Sequence, residues 1–270
     1  MYEYLFLYGV AFIAVCFAAV QDLRTREIAN WLTFALIAFV LAYRAFYAAV
    51  FRDLSFFLYG LGGVLLFVVL GYGFYYSRVF AGGDAKLLFG LGGIFPYVSL
   101  SDYVFYGLGF VFVLFACGVL YTLIYSGFLL RRNYASFRRT FAHEFAHGKT
   151  WLYASLFLFI FLLLFGGLLR IYSWIAFLFP ILYFYTRAIE KSCMINLISP
   201  DKLSEGDWLV KDIHIGKKII LKTVHGLSYK DILLLRRAGK KVLIKSGVPF
   251  APVFLIALAV FAVALTTNVL

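Results

Sequence analysis

The sequence contains few acidic residues, few prolines and few cysteines. Of its 270 residues only 13 are Asp or Glu, against 25 Lys or Arg, and five are Pro. The cysteines, Cys16, Cys117 and Cys193, are far apart and form no CxxC pair, which argues against a disulfide framework and a cysteine zinc site. No small-residue cleavage site follows the first apolar stretch, so we expect no cleaved signal peptide.

Hydrophobic residues, by contrast, make up 64% of the chain, and its mean hydropathy is +0.93. Ordinary soluble domains are closer to half apolar, so this composition predicts an all-α polytopic membrane protein with about six to eight transmembrane helices. The candidate spans are 4–20, 31–51, 55–76, 84–98, 103–130, 151–168, 171–188 and 250–268. The sixth and seventh could be one bent unit, although "GGLLR" at 166–170 is typical of a turn at the membrane edge.

The distribution of positive charge predicts the orientation of these spans. If the N-terminus lies outside, the segments 21–30, 77–86, 131–150 and 187–249 face the cytoplasm and carry 22 of the 25 Lys and Arg residues. The basic excess would then contact anionic membrane lipids. This topology accounts for the net charge of +12, so we expect no nucleic-acid partner.

One long polar stretch, residues 192–248, predicts a small cytoplasmic α+β domain. "DWLVKDIHIGKKIILK" has short β-branched segments around a Gly turn, which is typical of strands. "LSYKDILLLRRAGKKVLIK" predicts a helix with Ser228 as N-cap, Asp231 three residues on and Gly239 as its stop, followed by a strand. The predicted organisation is a bundle over 1–191, this domain over 192–248, and a last membrane helix over 249–270.

Two carboxylates fall at the predicted cytoplasmic boundary. Asp22 follows the first span in "VQDLRTREIANWLT", and Asp84 opens the fourth in "VFAGGDAKLLFG". Asp84 could be a helix N-cap only, whereas Asp22 lies at the helix end that disfavours an anion, where Arg24 and Arg26 could compensate it. A carboxylate at membrane depth is a functional hypothesis by default.

A pair of such acids has a definite chemistry. Two carboxylates held close together cannot both ionise cheaply, so one keeps a proton. The ionised member can accept a proton from water while the protonated member polarises a peptide carbonyl, as in aspartic proteolysis. Gly82 and Gly83, just before Asp84, would admit an extended substrate backbone, or they could form a plain turn.

At these residues the sequence resembles the archaeal prepilin and preflagellin (prearchaellin) peptidases, which are GxGD-type membrane aspartyl proteases. "DLRTREIANWLT" at 22–33 is similar to the family's D-x-R-x-R-x-I-x-N block, and "AGGDAKLLFGLG" at 81–92 to its GxGDxKL block. "GVPFAPVFLIALA" at 247–259 resembles the last helix of the archaeal branch. "LSEGDWL" at 203–209 and "GLSYKDILLL" at 226–235 resemble its cytoplasmic domain.

The resemblance implies roles for particular residues. Asp22 and Asp84 would be the catalytic pair, Gly83 would shape the site, and Lys86 would take the basic position after GD, although it could equally be a membrane-boundary anchor. The first glycine of GxGD is Ala81 in this chain. No metal or organic cofactor is implied.

The substrates implied by the resemblance are type IV pilin-like precursors, including archaellins, cut between a basic leader and a hydrophobic helix. Bacterial members also N-methylate the product and carry a cysteine tetrad that this chain lacks, so we expect no methyl transfer. Acidic residues are candidates for contact with the basic leader, although each could be an ordinary surface acid. These candidates are Glu27, Asp201, Glu205, Asp207 and Asp212.

A competing motif lies in "RTFAHEFAHGKTW". His143, Glu144 and His147 spell HExxH, in which two His bind zinc and Glu activates water. A catalytic zinc needs a third ligand, and no downstream residue has a telling spacing; Glu190, His214 and His225 are candidates. The alternative is a basic interfacial helix on the membrane surface.

A non-enzymatic transporter or scaffold is the third class considered, with Asp22 and Asp84 as proton or ion relays. Polar residues at the membrane midplane would favour it. The spans offer few apart from Arg44, which we expect to extend outward to the interface. The aspartyl protease is therefore the preferred interpretation.

Overall fold

The computed structural model describes residues 2–164, 169–216, 218–223, 226–245 and 247–266. These residues are mostly helical. The helices are α1 (Tyr2–Thr25), α2 (Asn30–Phe51), α3 (Leu54–Tyr76), α4 (Gly82–Leu91), α5 (Leu100–Asp102), α6 (Gly109–His147), α7 (Lys149–Leu164), α8 (Leu169–Cys193), α9 (Tyr229–Arg237) and α10 (Ala251–Thr266). A π-helical segment, Tyr103–Leu108, joins α5 to α6.

The chain divides into two units, residues 1–123 with 248–270, and residues 124–247. In the first unit, α4 packs mainly between α2 and α3, and α1 packs along α10. A continuous apolar core joins these helices, and its largest fully buried side chains are aromatic. They are Phe67, Phe80, Phe95, Tyr97, Phe110, Phe254 and Phe261.

Three helices of the first unit end in the same way. Arg26, Arg52 and Arg78 follow α1, α2 and α3, and all three have positive φ angles of 59°, 53° and 63°. This left-handed conformation ends helices because it turns the chain away from the helix axis. Glycine is the residue that most often adopts it. At Arg26 and Arg78 the arginine also supplies positive charge at the predicted cytoplasmic boundary, whereas Arg52 falls at the opposite boundary.

Four helices in the described part of the chain are long and apolar enough to cross a membrane. They are Glu3–Thr25, Asn30–Phe51, Leu54–Tyr76 and Leu100–Arg131. A fifth is possible if Asn133–His147 and Lys149–Leu164, bent by 68°, form one broken span. This count, made on the described residues, is below six to eight. Two of the expected spans are too short to be counted: α4 has ten residues, and the apolar helix Ala251–Leu265 is also short.

The second unit contains the predicted α+β domain. Its strands are β1 (Ile195–Ile198), β2 (Trp208–Leu209), β3 (Ile213–Ile215), β4 (Lys218–Ile220) and β5 (Val242–Lys245). The antiparallel sheet has the order β1-β5-β2, while β3 and β4 form a separate hairpin. The polytopic all-α class with a small α+β domain is thereby confirmed.

The local signals in this domain are also confirmed. Ser228 caps α9 in a reciprocal capping box with Asp231. Gly239, with φ of 58°, lies just beyond the end of α9 and precedes β5. The expected turn at 166–170 falls largely outside the described residues, which resume at Leu169.

The expectation for Arg44 is wrong. Its side chain is fully buried within the first unit instead of extending to the interface. The guanidinium donates hydrogen bonds of 2.6 Å each to the carbonyl oxygens of Gly93, Phe56 and Phe95. It remains inside because these backbone acceptors replace the water it would otherwise seek.

Candidate active site

Asp22 lies near the end of α1 and is buried. Its Oδ2 atom accepts a 2.8 Å hydrogen bond from the backbone N–H of Ala251, the first residue of α10. The carboxylate therefore lies at the positive N-terminal end of one helix although it belongs to the C-terminal end of another. This contact across 229 positions explains how an acid is accommodated at the unfavourable end of α1.

Asp84 is the third residue of α4 and is also buried. It lies outside the four candidate spans. Burial, and after it the negative charge of Asp22, raise the pKa of this carboxyl to about 7. A backbone hydrogen bond from Ala81 opposes both effects. The structure thus brings the two carboxyls close enough for the charge of Asp22 to affect the protonation of Asp84.

The glycines before Asp84 differ in how closely they are packed. A Cβ atom added at Gly83 would lie 3.1 Å from Cβ of Ile28, which follows α1. At Gly82 the nearest atom would be in the Tyr75 ring at 3.7 Å, an ordinary contact. Gly83 therefore lets the beginning of α4 approach the α1–α2 loop. At position 82 there is enough space for a side chain, so packing does not require glycine there.

Ala81, which replaces the first glycine of GxGD, fits its position without strain. It is the residue just before α4, with φ of −72° and ψ of 164°. This is extended backbone that any residue can adopt. The replacement therefore leaves the backbone leading to Asp84 in an ordinary conformation.

Lys86 contacts the first motif block. Its Nζ atom donates a 2.7 Å hydrogen bond to Oδ1 of Asn30, the first residue of α2, and lies 5.8 Å from the centre of the Phe34 ring. Asn30 was not singled out from the sequence, although it is the last defined letter of the D-x-R-x-R-x-I-x-N pattern. The two blocks thus meet at the Asp22–Asp84, Ile28–Gly83 and Asn30–Lys86 positions.

The candidate leader-contacting acids fall in different settings. Glu27 is exposed in the loop between α1 and α2, beside the two motif blocks in sequence. Asp207 and Asp212 accept hydrogen bonds from backbone N–H groups of Ser204 and Lys222. These two acids therefore stabilise loops of the α+β domain, while Asp201 and Glu205 are exposed.

The HExxH residues lie at the C-terminal end of α6. Glu144 forms an ion pair with Lys191 of α8. The Nδ1 atom of His147 is 2.9 Å from the carbonyl oxygen of His143. Ion pairing with a lysine makes Glu144 a contact between two helices, which is an ordinary structural role.

The candidates for a third zinc ligand are dispersed. Glu190 pairs with Lys245 at 3.0 Å, and the carbonyl oxygen of His214 accepts a hydrogen bond from Lys240. His225 lies outside the described residues. Within the described part of the chain, no three His, Cys, Asp or Glu side chains are grouped so that they could hold a metal ion.

Comparison with known proteins identifies relatives of the part of the chain that carries the two aspartates. The model of the type IV leader peptidase family matches residues 9–129. The preflagellin peptidase of Methanococcus maripaludis is 29% identical over 100 residues, which cover 37% of this chain and 43% of that protein. The preflagellin peptidase of Methanocaldococcus jannaschii is 29% identical over 87 residues, which cover 32% of this chain and 37% of that protein.

The chain therefore matches less than half the length of each of these relatives. No solved structure matches it. The matched region contains Asp22, Asp84 and both motif blocks. The resemblance drawn from those blocks is confirmed: over residues 9–129 the chain is similar to the type IV leader peptidase family.

Proposed function

We propose that this protein is a membrane-embedded aspartyl endopeptidase that removes the short basic leader from type IV pilin-like or archaellin precursors. The observation that carries the proposal is that Asp22 and Asp84, 62 positions apart, are both buried and interact electrostatically. Membrane bundles rarely bury two acids side by side without a function, because each carries a desolvation cost. The similarity to leader peptidases over residues 9–129 supports the same reaction.

The two carboxyls are in different environments, and this difference suggests their roles. Asp22 accepts a hydrogen bond from the backbone N–H at the start of α10, and this contact favours the ionised form of its carboxylate. Asp84 has a pKa raised by burial and by the charge of Asp22, so it is the member that keeps a proton near neutral pH. Asp22 is accordingly the general base and Asp84 the general acid.

In this scheme Asp22 takes a proton from water as the water oxygen attacks the carbonyl carbon of the scissile peptide. Asp84 donates its hydrogen bond, and then its proton, to the carbonyl oxygen. When the tetrahedral intermediate collapses, the C–N bond breaks and the leaving nitrogen takes the proton held by Asp22. The oxygen returns its proton to Asp84, which restores both carboxyls.

The location of the pair suggests where cleavage takes place. The ends of α1 and α3 and the beginnings of α2, α4 and α10 carry the residues around the carboxyls. The positive-inside rule puts this end of the bundle at the cytoplasmic face, where a basic leader would meet a hydrophobic helix. We also propose that residues 192–248 are cytoplasmic, between a bundle over 1–191 and a last helix over 249–270.

The product would leave without N-methylation. The bacterial enzymes that the family includes carry a cysteine tetrad, and the three cysteines of this chain do not form such a segment. Mass spectrometry of the cleaved precursor, with methyl donor present, would detect an added methyl group. Its appearance would contradict this part of the proposal.

The deciding experiment is cleavage of a pilin-like precursor in detergent by the wild type and by Asp22→Asn, Asp84→Asn and Glu144→Gln, each with and without a chelator. We expect both active-site Asp variants to be inactive, while Glu144→Gln and chelation leave cleavage intact. Lys211→Gln, an exposed change in the α+β domain at a residue outside the candidate leader contacts, is the control. Loss of cleavage on chelation or in Glu144→Gln, with an active-site Asp variant still active, would make HExxH the site instead.

A further inference from the structure

The helix that carries Asp84 stops partway through the bundle. With ten residues, α4 is only about 15 Å long. The chain that follows it, residues 92–97, is irregular yet mostly buried, and Gly92, Gly93, Ile94, Phe95 and Tyr97 are all in the interior. Irregular backbone at membrane depth persists only where the protein itself satisfies its polar groups.

Arg44 of α2 supplies hydrogen bonds to this segment. Its Nε atom donates to the Gly93 carbonyl and its Nη2 atom to the Phe95 carbonyl, both at 2.6 Å. The Nη1 atom bonds the Phe56 carbonyl in α3, and the guanidinium lies 4.5 Å from the centre of the Phe56 ring. Only arginine presents so many donors in a fixed planar arrangement, so one side chain ties α2, α3 and the end of α4 together.

Glycines provide the space for this arrangement. A Cβ atom added at Gly60 would clash with Cδ of Arg44, so any larger residue would displace the arginine. Similarly, a Cβ added at Gly63 would clash with the Gly92 carbonyl oxygen. The tetrapeptide GLGG occurs both at 60–63 and at 90–93, and these two copies pack against each other.

The α2 helix therefore holds α4 near both ends. Asn30 bonds Lys86 close to the catalytic end, and Arg44 bonds Gly93 just past the other end. Between them, Leu36 contacts the position of Gly90 and Val40 that of Gly93, so the two helices run parallel. Over this length a rigid helix transmits a shift at its far end to Asp84, about 14 Å away.

We propose that Arg44 is a positioning residue that fixes the depth of α4, and so the place of Asp84 beside Asp22, by holding the broken backbone after α4. The reaction affected is the proposed peptide cleavage, so this inference rests on the proposed function. Its geometric content, the position of the α4 N-terminus, can be measured without any activity. Displacements of about 1 Å in a catalytic group lower rates by about 100-fold, which sets the size of the expected effect.

The geometric readout is a disulfide between α4 and the α1–α2 loop. Cysteines at positions 28 and 83, introduced as Ile28→Cys and Gly83→Cys with the three native cysteines replaced by alanine, would have Cβ atoms 3.1 Å apart. This is a few tenths of an ångström below the disulfide range, so small relaxation allows the bond. Its rate of formation under mild oxidant reports whether α4 begins where the structure has it.

The variants are Arg44→Met, Arg44→Lys and Gly60→Ala. Crosslinking is measured in the chain with the two introduced cysteines, and cleavage and melting temperature are measured in the chain that keeps Ile28 and Gly83. Leu114→Ala is the control, because Leu114 is a fully buried core residue of α6 in the same unit. We expect crosslinking to be at least about tenfold slower in Arg44→Met than in the control, and kcat to fall by about 100-fold with KM little changed. Arg44→Lys cannot donate hydrogen bonds to all three carbonyls at once. It should therefore retain only part of the crosslinking rate and part of the kcat.

The outcomes separate the inference from the proposed function. The proposal is overturned if Arg44→Met crosslinks as fast as Leu114→Ala and, for the same decrease in melting temperature, loses no more cleavage activity than Leu114→Ala. Arg44 would then have only a structural role. If the Asp variants prove active, the proposed function fails, but slowed crosslinking would still establish that Arg44 positions α4. Should Arg44→Met not fold, Gly60→Ala, which displaces the same side chain, decides by the same criteria.

Discussion

Replacing Asp84 by Asn should make the protein more stable at neutral pH, because it removes a buried ionisable group. The pKa of Asp84 is raised from 3.8 to about 7, first by burial and then by the charge of Asp22. A tenfold change in a proton-binding constant corresponds to about 1.36 kcal/mol of free energy. The ionised side chain therefore destabilises the folded state by roughly 4 kcal/mol, and Asp84→Asn relieves that cost.

The sign of this effect depends on pH. Below pH 3.8 the carboxyl is protonated in the folded and the unfolded chain, so the variant and the wild type should be equally stable. Between 3.8 and about 7 the unfolded chain releases the proton while the folded chain retains it, and the wild type loses stability as pH rises. Above about 7 both states are ionised, and the full difference between variant and wild type is present.

The measurement is thermal unfolding in one detergent at one scan rate, from about pH 4 to about pH 8.5. For a chain of this size about 4 kcal/mol corresponds to a melting-temperature difference on the order of 10 °C. Trp31 lies in the same unit as Asp84, so its fluorescence in a variant lacking Trp151, Trp174 and Trp208 follows that unit. Ionisable groups that do not interact with Asp84 are shared by both proteins and cancel in the difference. Asp22 interacts with Asp84, so its titration changes with the substitution and contributes to the same pH-dependent difference.

Two results would refute the reasoning. One is a melting-temperature difference that is the same at both ends of the pH range, since a change independent of pH cannot arise from ionisation of Asp84. The other is a variant that is no more stable than the wild type at the alkaline end, which would mean that the carboxyl is neither buried nor beside Asp22. Asp201→Asn, on the surface of the α+β domain, should leave the melting temperature unchanged at both ends.

Three further outcomes are expected. The kcat/KM for precursor cleavage should fall as pH rises above about 7, because Asp84 then loses the proton that it donates; a flat profile up to about pH 9 in a pH–rate series would contradict its role as the acid. Gly83→Val should slow cleavage because its side chain would press on Ile28, and Ile28→Ala in the same chain should restore part of the rate. Asn30→Ala and Lys86→Met should each cost less than about 1 kcal/mol in chemical unfolding, and the double variant little more than either, since their hydrogen bond is exposed.

Local sequence patterns predicted the features that depend on near neighbours. Apolar runs long enough to cross a bilayer predicted α1, α2 and α3, because a helix satisfies its own backbone wherever it lies. The Ser228–Asp231 capping box predicted the beginning of α9 from residues three positions apart. The two aspartate-containing blocks were recognisable because their residues are close together in the chain.

Residues far apart in sequence were less predictable. The residues around "VQDLRT" do not indicate that Asp22 accepts a hydrogen bond from a backbone N–H at the beginning of α10, 229 residues later. The apolar run at 84–98 looked like a span, yet the helix ends at Leu91, because Arg44 and the glycines of α3 stabilise a break there. The HExxH pattern has a local spacing that suits zinc, whereas the partner of its glutamate is a lysine on another helix.

The sequence by itself therefore determined that this is a helical membrane protein with a small α+β domain and two acids in recognisable motifs. Hydrophobicity, caps and spacing act over a few residues, so they can be read in order along the chain. The tertiary structure alone decided which groups surround those acids: the N-terminus of α10 at Asp22, the charge of Asp22 near Asp84, and Arg44 at the far end of α4. Burial and electrostatic interaction depend on distance in space, which only the packed bundle defines.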